Sequence, residues 1–287
     1  MRYVESDPIP ALAPFLERVW TLEGHADMLA GAPQVVLPDG RTELIFHFGD
    51  PFERIDISGT GSTRTVQPKL LFAGQLTRQL VLHPTGRIGV LGLRFHPFGA
   101  AALFSDSQDQ LAGTTPAVED LSTGAAQKLG FVFGGAPGLA EAAVLAQETL
   151  AELLDDSRLD SRLANAVREI ERSHGLTSID RVAEQVGMTR RHMERQFRQS
   201  VGMTPKRLAR IARFQRAVRF LEGDGDTGRQ GGAITAAACF SSNTSRIRRT
   251  MSLCRSRPII ESPSATTNGS CATNARAAST AWPRPSA

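Results

Sequence analysis

Cysteine is absent from the first 238 of the 287 residues, and the three that occur, Cys239, Cys254 and Cys271, fall in the last 49. An odd, late-clustered set of this kind is neither a disulfide framework nor a zinc-ligand pattern. Long apolar runs are missing too. No stretch of eighteen apolar residues occurs, and MRYVESDPIP lacks the basic and apolar regions of a signal peptide, so a cytoplasmic protein with no membrane partner is expected. There is no glycine-rich phosphate cradle ending in Lys-Ser/Thr, no Gly-x-Ser-x-Gly elbow and no His-x-His pair with a following Glu. No catalytic residue, cofactor or metal site is assigned on this basis, and the chain does not read as an enzyme.

What the chain does have is charge segregated along its length. Residues 1–155 carry 10 Lys and Arg against 18 Asp and Glu, a net of −8. Residues 156–221 carry 15 against 7, a net of +8, and residues 222–287 carry 8 against 4, a net of +4. A basic segment downstream of an acidic one suits a polyanionic partner, because Lys and Arg displace counterions condensed on phosphates.

The acidic half is rich in strand signals between Pro33 and Phe98. RTELIFHFGDP alternates Leu44, Phe46 and Phe48 with Glu43, Ile45 and His47. RIGVLGLRFHPFG sets Leu91, Leu93 and Phe95 against Gly92, Arg94 and His96, and Pro-Thr-Gly and Pro-Phe-Gly punctuate the runs. From Ala100 the pattern turns helical, first through AALFSDSQDQL and then, after the Gly-rich break GFVFGGAPG, through LAEAAVLAQETLAELL, which has the spacing of a helix that links domains or dimerises. An α+β chain is expected. It comprises a β-rich domain, a cupin-like barrel or sandwich, over 1–118; a helical connector over 119–157; and an all-α domain over 158–224. Strand alternation makes Glu43, His47, Arg94 and His96 candidates for lining a ligand pocket.

The basic segment contains SIDRVAEQVGMTRRHMERQFRQSVGMTP. Ser178 caps a helix with Val182, Ala183 and Val186 on one stripe, and Gly187 can turn the chain. The next helix, from Thr189, buries Met193 and Phe197, four residues apart, and sends Arg191, Arg195 and Arg198 the other way. Two short helices joined at a glycine, the second presenting guanidinium forks, form a helix-turn-helix pattern whose second helix enters the major groove. Arginine suits a guanine edge, and Glu194 can accept from a cytosine amino group. Pro205 then starts KRLARIARFQRAVRFL, with Leu208, Ile211, Gln215 and Val218 inward and Lys206, Arg210, Arg213 and Arg216 opposite, which reads as a spacer.

These residues resemble the AraC family of bacterial transcription regulators, over about residues 160–222, in a first helix-turn-helix followed by its connecting helix. The resemblance implies that Arg191, Glu194 and Arg195 face bases, with Arg190, His192 and Arg198 nearer the phosphates. It implies double-stranded DNA and RNA polymerase as partners, and a place on the nucleoid. VLPDGRTELIFHFGDP and LGLRFHPFGAAALF are similar to the β-rich domain of one subgroup of these regulators, which implies a module for a small-molecule effector or for homodimerisation. The family's second helix-turn-helix starts to appear in AITAAAC, residues 233–239, but its remainder does not follow. Residues 240–287 include 16 Ser or Thr among 48 and show no sustained period, so 225–287 reads as a remnant followed by a disordered tail. A frameshift near Cys239 accounts for the change at mid-motif, and a native basic tail is the alternative. Losing one of two tethered readers would forfeit roughly 10² to 10⁴ in avidity. The other class of reading is a small-molecule or metal-binding β-barrel with a helical appendage, using His47, His83, His96 and Glu43.

Overall fold

The computed structural model describes residues 1–29, 32–58, 61–121, 125–155 and 160–222. The expected tail, 225–287, and the question of a second reader lie outside the described residues.

The chain is α+β, with two antiparallel sheets first and helices after them. One sheet orders β1 (Arg2–Ser6), β2 (Leu16–His25), β9 (Arg87–Phe95), β4 (Glu43–His47) and β7 (Leu70–Ala73). The other orders β3 (Gln34–Val36), β8 (Leu80–His83), β5 (Glu53–Ser58) and β6 (Gly61–Val66). The strands begin well before Pro33. LERVWTLEG forms β2, the longest strand, which joins β1 to β9 with Trp20 opposite Gly92.

Strand alternation divides the apolar residues between two cores. Leu44, Leu91, Leu93 and Phe95 point to one face of the five-stranded sheet. There they meet α1 (Gln108–Leu111), α2 (Ala125–Gly135) and α3 (Leu139–Leu153) through Leu111, Leu129, Ala142, Ala146 and Leu150. Trp20, Leu22, Ile88 and Val90 point to the other face, towards Phe52 and Leu82. The helices expected as a connector therefore cover a sheet face. The Gln147 amide oxygen accepts from the Ile9 backbone at 2.9 Å, tying α3 to the segment before β2.

Four helices follow: α4 (Ser161–Arg172), α5 (Ile179–Gln185), α6 (Arg190–Val201) and α7 (Pro205–Glu222). Each of the first three begins on a side-chain cap: Asp160 accepts from the Arg162 backbone N–H, Ser178 from that of Arg181 and Thr189 from that of His192. Between α5 and α6 the chain turns through Gly187 at φ 65°, a left-handed conformation that costs glycine little. Met193 and Phe197 are fully buried among Leu163, Val167, Ile170, Val182 and Leu208.

Candidate nucleic-acid interface and interior cavity

The sequence places Arg191, Arg195 and Arg198 on the side of α6 opposite Met193 and Phe197, and all three are exposed. Their neighbours on the helix are more constrained. Arg190 bridges Asp180 at 3.0 Å and Glu194 at 3.2 Å, so it ties α5 to α6 and occupies the Glu194 carboxylate. His192 turns inward. Its Nε2 is buried without a hydrogen-bond partner, while Nδ1 faces the Arg195 guanidinium at 3.3 Å.

The arginine row does not face open solvent alone. It forms one wall of a cleft of about 480 Å3 with Glu194 and Gln199, and the opposite wall is Ser105, Ser107 and Asp109 of the β-rich half. This juxtaposition is invisible in the sequence, because more than eighty residues separate the two walls.

A second site lies between the sheets. A cavity of about 90 Å3 is lined mainly by apolar side chains, among them Val36, Phe52, Leu71, Leu80 and Val90. Its polar wall is an ion cluster. The β4–β9 register sets Glu43 directly opposite Arg94, whose guanidinium donates to Glu43 at 2.7 Å, to Glu17 at 3.3 Å and to Asp39. Arg41 donates to Glu17 and, at 2.5 Å, to Glu171 on α4. Burial disfavours the charge on Arg94, but Asp39, Glu43 and Glu17 together hold it firmly protonated. Burial also works against ionised Glu17, yet Arg41 and Arg94 outweigh it and keep its carboxyl at about 2. Glu43, largely buried and beside Asp39, is pushed up despite Arg94.

Of the four residues expected to line a pocket, Glu43, His47 and Arg94 do so, and His96 lies elsewhere. The His96 ring stacks on Phe98 at 5.9 Å with Nε2 3.2 Å from the Ala13 carbonyl, because Phe95 ends β9 and the following turn faces its side chain away. Asp39, Arg41 and Glu17 escaped the sequence reading. Arg41 finds its carboxylates 24 and 130 residues away, and no local spacing signals that. Among the described residues, no three His, Cys, Asp or Glu are placed to hold a metal ion, so the histidine set of the metal reading does not converge there.

His47 is 2% exposed, packs its ring 5.0 Å from that of Phe52, and has neither nitrogen in a hydrogen bond of normal geometry. Burial lowers its pKa from 6.5 to about 4. As pH falls below about 6.5 the unfolded chain takes up a proton that the folded chain refuses, so folding stability drops by roughly 3 kcal/mol between pH 6.5 and 4. Urea titrations across that range should show the decline in the native chain and a flatter profile in His47→Gln.

Residues 4–116 match a family described only as a domain of unknown function, DUF6597. No curated protein matches the chain. Among solved structures, the chain is similar to ToxT from Vibrio cholerae at 10% identity and TM-score 0.38, over 86% of this chain and 92% of that one. It is also similar to CuxR, described as an AraC-like transcriptional activator, at 12% identity and TM-score 0.26, over 77% and 96%. Among the described residues, no helix is long and apolar enough to cross a membrane.

Proposed function

We propose that the protein is a sequence-specific DNA-binding transcription regulator of the AraC kind, in which α6 enters the major groove. The observation that carries this reading is the division of α6. Met193 and Phe197 anchor it in a four-helix core, while Arg191, Arg195 and Arg198 stand exposed along its other side. A rigidly seated helix with exposed guanidinium forks can bridge both acceptors of a guanine edge, and the basic charge of residues 156–221 supplies the phosphate attraction. Arg191 and Arg195 are the base readers, with Glu194 released to them when Arg190 moves to a phosphate, and Arg198 meets the backbone. The regulator works in the cytoplasm on the nucleoid, through RNA polymerase, alone or paired with a second copy. Binding selection from random duplexes tests the core of this reading. It should enrich one motif, with affinity falling steeply as salt rises, and recovery of unselected sequence would defeat it.

The cavity is proposed as the seat of a small effector, since it adjoins a buried, unsatisfied histidine and is enclosed by both sheets. It is smaller than the roughly 150 Å3 void that admits benzene, so its occupant is compact. Arg94 and Arg41 already hold carboxylates, which leaves an anion no free guanidinium and exposes it to Glu43 and Asp39. A compact neutral molecule with one polar group suits the site. In thermal melts, n-butanol should therefore raise the midpoint more than butyrate at equal concentration. Greater protection by butyrate would reverse that assignment.

A further inference from the structure

The helix proposed to read DNA is hemmed in by the acidic half of its own chain. Its C-cap, Gly202 at φ 83°, lies so close to Gln108 that a methyl group there would come within 2.7 Å of the Gln108 carbonyl oxygen. Phe98, from the loop after β9, belongs to the same core as Leu163, Val167 and Phe197, and the Arg168 guanidinium sits over its ring at 5.9 Å. The α7 helix, expected as a spacer, docks back as well: Gln215 donates to the Pro38 carbonyl at 2.5 Å and Arg207 to the Thr77 carbonyl at 3.2 Å. The Arg41–Glu171 ion pair closes the contact, its side chains only 14% and 29% exposed.

An α-helix with its side chains is about 10–12 Å across, and the B-DNA major groove is about 12 Å wide. The groove therefore accommodates the helix with little beside it. Here Ser105, Ser107 and Asp109 stand across a cleft from the very arginines that have to enter. Charge favours the same arrangement, since the basic segment lies against a module of net charge −8 that competes with phosphate for it.

We propose that this arrangement is a closed state, in which the β-rich module shields α6 from DNA, and that Arg41–Glu171 is the latch that holds it. Arg41 also lines the cavity, so latch and cavity share one side chain. The proposal rests on α6 being the reader. Apparent affinity for DNA is then reduced by the fraction of molecules that are open, and weakening the latch raises it.

The test compares Glu171→Gln with Glu169→Gln in the full chain. Both remove one negative charge from α4, but Glu169 bonds Arg172 and Thr177 within the helical bundle, whereas Glu171 reaches Arg41. Glu171→Gln should bind the selected duplex about tenfold tighter at the same salt, with Glu169→Gln within about twofold of the native chain. Equal affinities would overturn the latch while leaving α6 as the reader. No selective binding by either variant or the native chain would overturn both. A second measurement uses Ser107→Cys with Gln199→Cys, on opposite walls of the cleft, after Cys239, Cys254 and Cys271 are changed to Ser. A short bis-maleimide should bridge the pair efficiently in the free protein and poorly with saturating duplex. Undiminished bridging in the DNA-bound protein would overturn the closed state.

Discussion

Replacing Arg94 with alanine is expected to destabilise the β-rich module by about 3–5 kcal/mol, the usual result of stripping one partner from a buried ionic cluster. The Arg94 side chain is 5% exposed and meets Asp39, Glu43 and Glu17, which are themselves 13%, 17% and 15% exposed. Without it, three carboxylates share a poorly solvated wall with Arg41 as the remaining cation of the cluster. A domain with a total stability of 5–15 kcal/mol loses a large part of it. The deficit should depend on pH with a definite sign. Burial already pushes Glu43 up, and loss of Arg94 removes the attraction that opposes it. A carboxyl whose folded pKa lies above its unfolded value stabilises the fold at low pH and loses that contribution as pH rises through the folded value. The gap between variant and native chain should therefore narrow as pH falls from 7.5 to 5.5, read from urea midpoints at each pH. Arg94→Lys should recover only part of the loss, because one ammonium cannot span the three directions that a planar guanidinium serves. A deficit under 1 kcal/mol, or one that widens on acidification, would contradict the cluster as described.

The second large effect concerns DNA. Changing Arg191, Arg195 and Arg198 together to alanine should leave the fold within about 0.5 kcal/mol of the native chain, since all three are exposed and Arg195 touches His192 only at the surface of the same helix. Binding to the selected duplex should fall at least about a hundredfold, with each base-reading arginine contributing about 1–3 kcal/mol. The two roles separate by salt. Loss of a phosphate contact flattens the dependence of log affinity on log salt by about one, whereas loss of a base contact relaxes preference at one position. Arg198→Ala alone is expected to do the former and Arg195→Ala the latter. Arg190→Ala should flatten the salt dependence less than Arg198→Ala, because the phosphate contact of Arg190 is gained at the expense of its ion pairs with Asp180 and Glu194. A triple variant that enriches the same motif with the same affinity would remove α6 from the reading of DNA.

Local periodicity was enough to recognise α5 and α6, but not α2, whose GFVFGG reads in the sequence as a glycine-rich break yet forms the end of the Ala125–Gly135 helix. Gly187 and the caps at Ser178 and Thr189 bound α5 and α6 within the sequence, and the four-residue step from Met193 to Phe197 already marks the buried side. Alternation likewise brought Glu43 and His47 to one face of β4, and the β4–β9 pairing sets Arg94 beside Glu43 on that face of the sheet, because side chains on a strand point to opposite sides with period two. His96 broke that rule because β9 ends at Phe95. The first two strands escaped the sequence reading, which finds strand signals only from Pro33; in β2 the register shift between Leu16 and Arg18 sends Leu16 into the core under the helices while Trp20 and Leu22 face the other way, so no clean alternation marks the strand.

The sequence by itself determined the order of the parts, an α+β chain with its acidic half first, and the amphipathic division of α6, since both follow from the nature of near neighbours. Tertiary structure decided which charges meet. Arg41 reaches Glu17 and Glu171, Arg94 gathers three carboxylates, and the α6 arginines come to face Ser105, Ser107 and Asp109. The reason is physical. Helix and strand periods depend on residues a few positions apart, whereas an ion cluster or an interdomain cleft depends on how distant segments pack, and charge along the chain does not encode that distance.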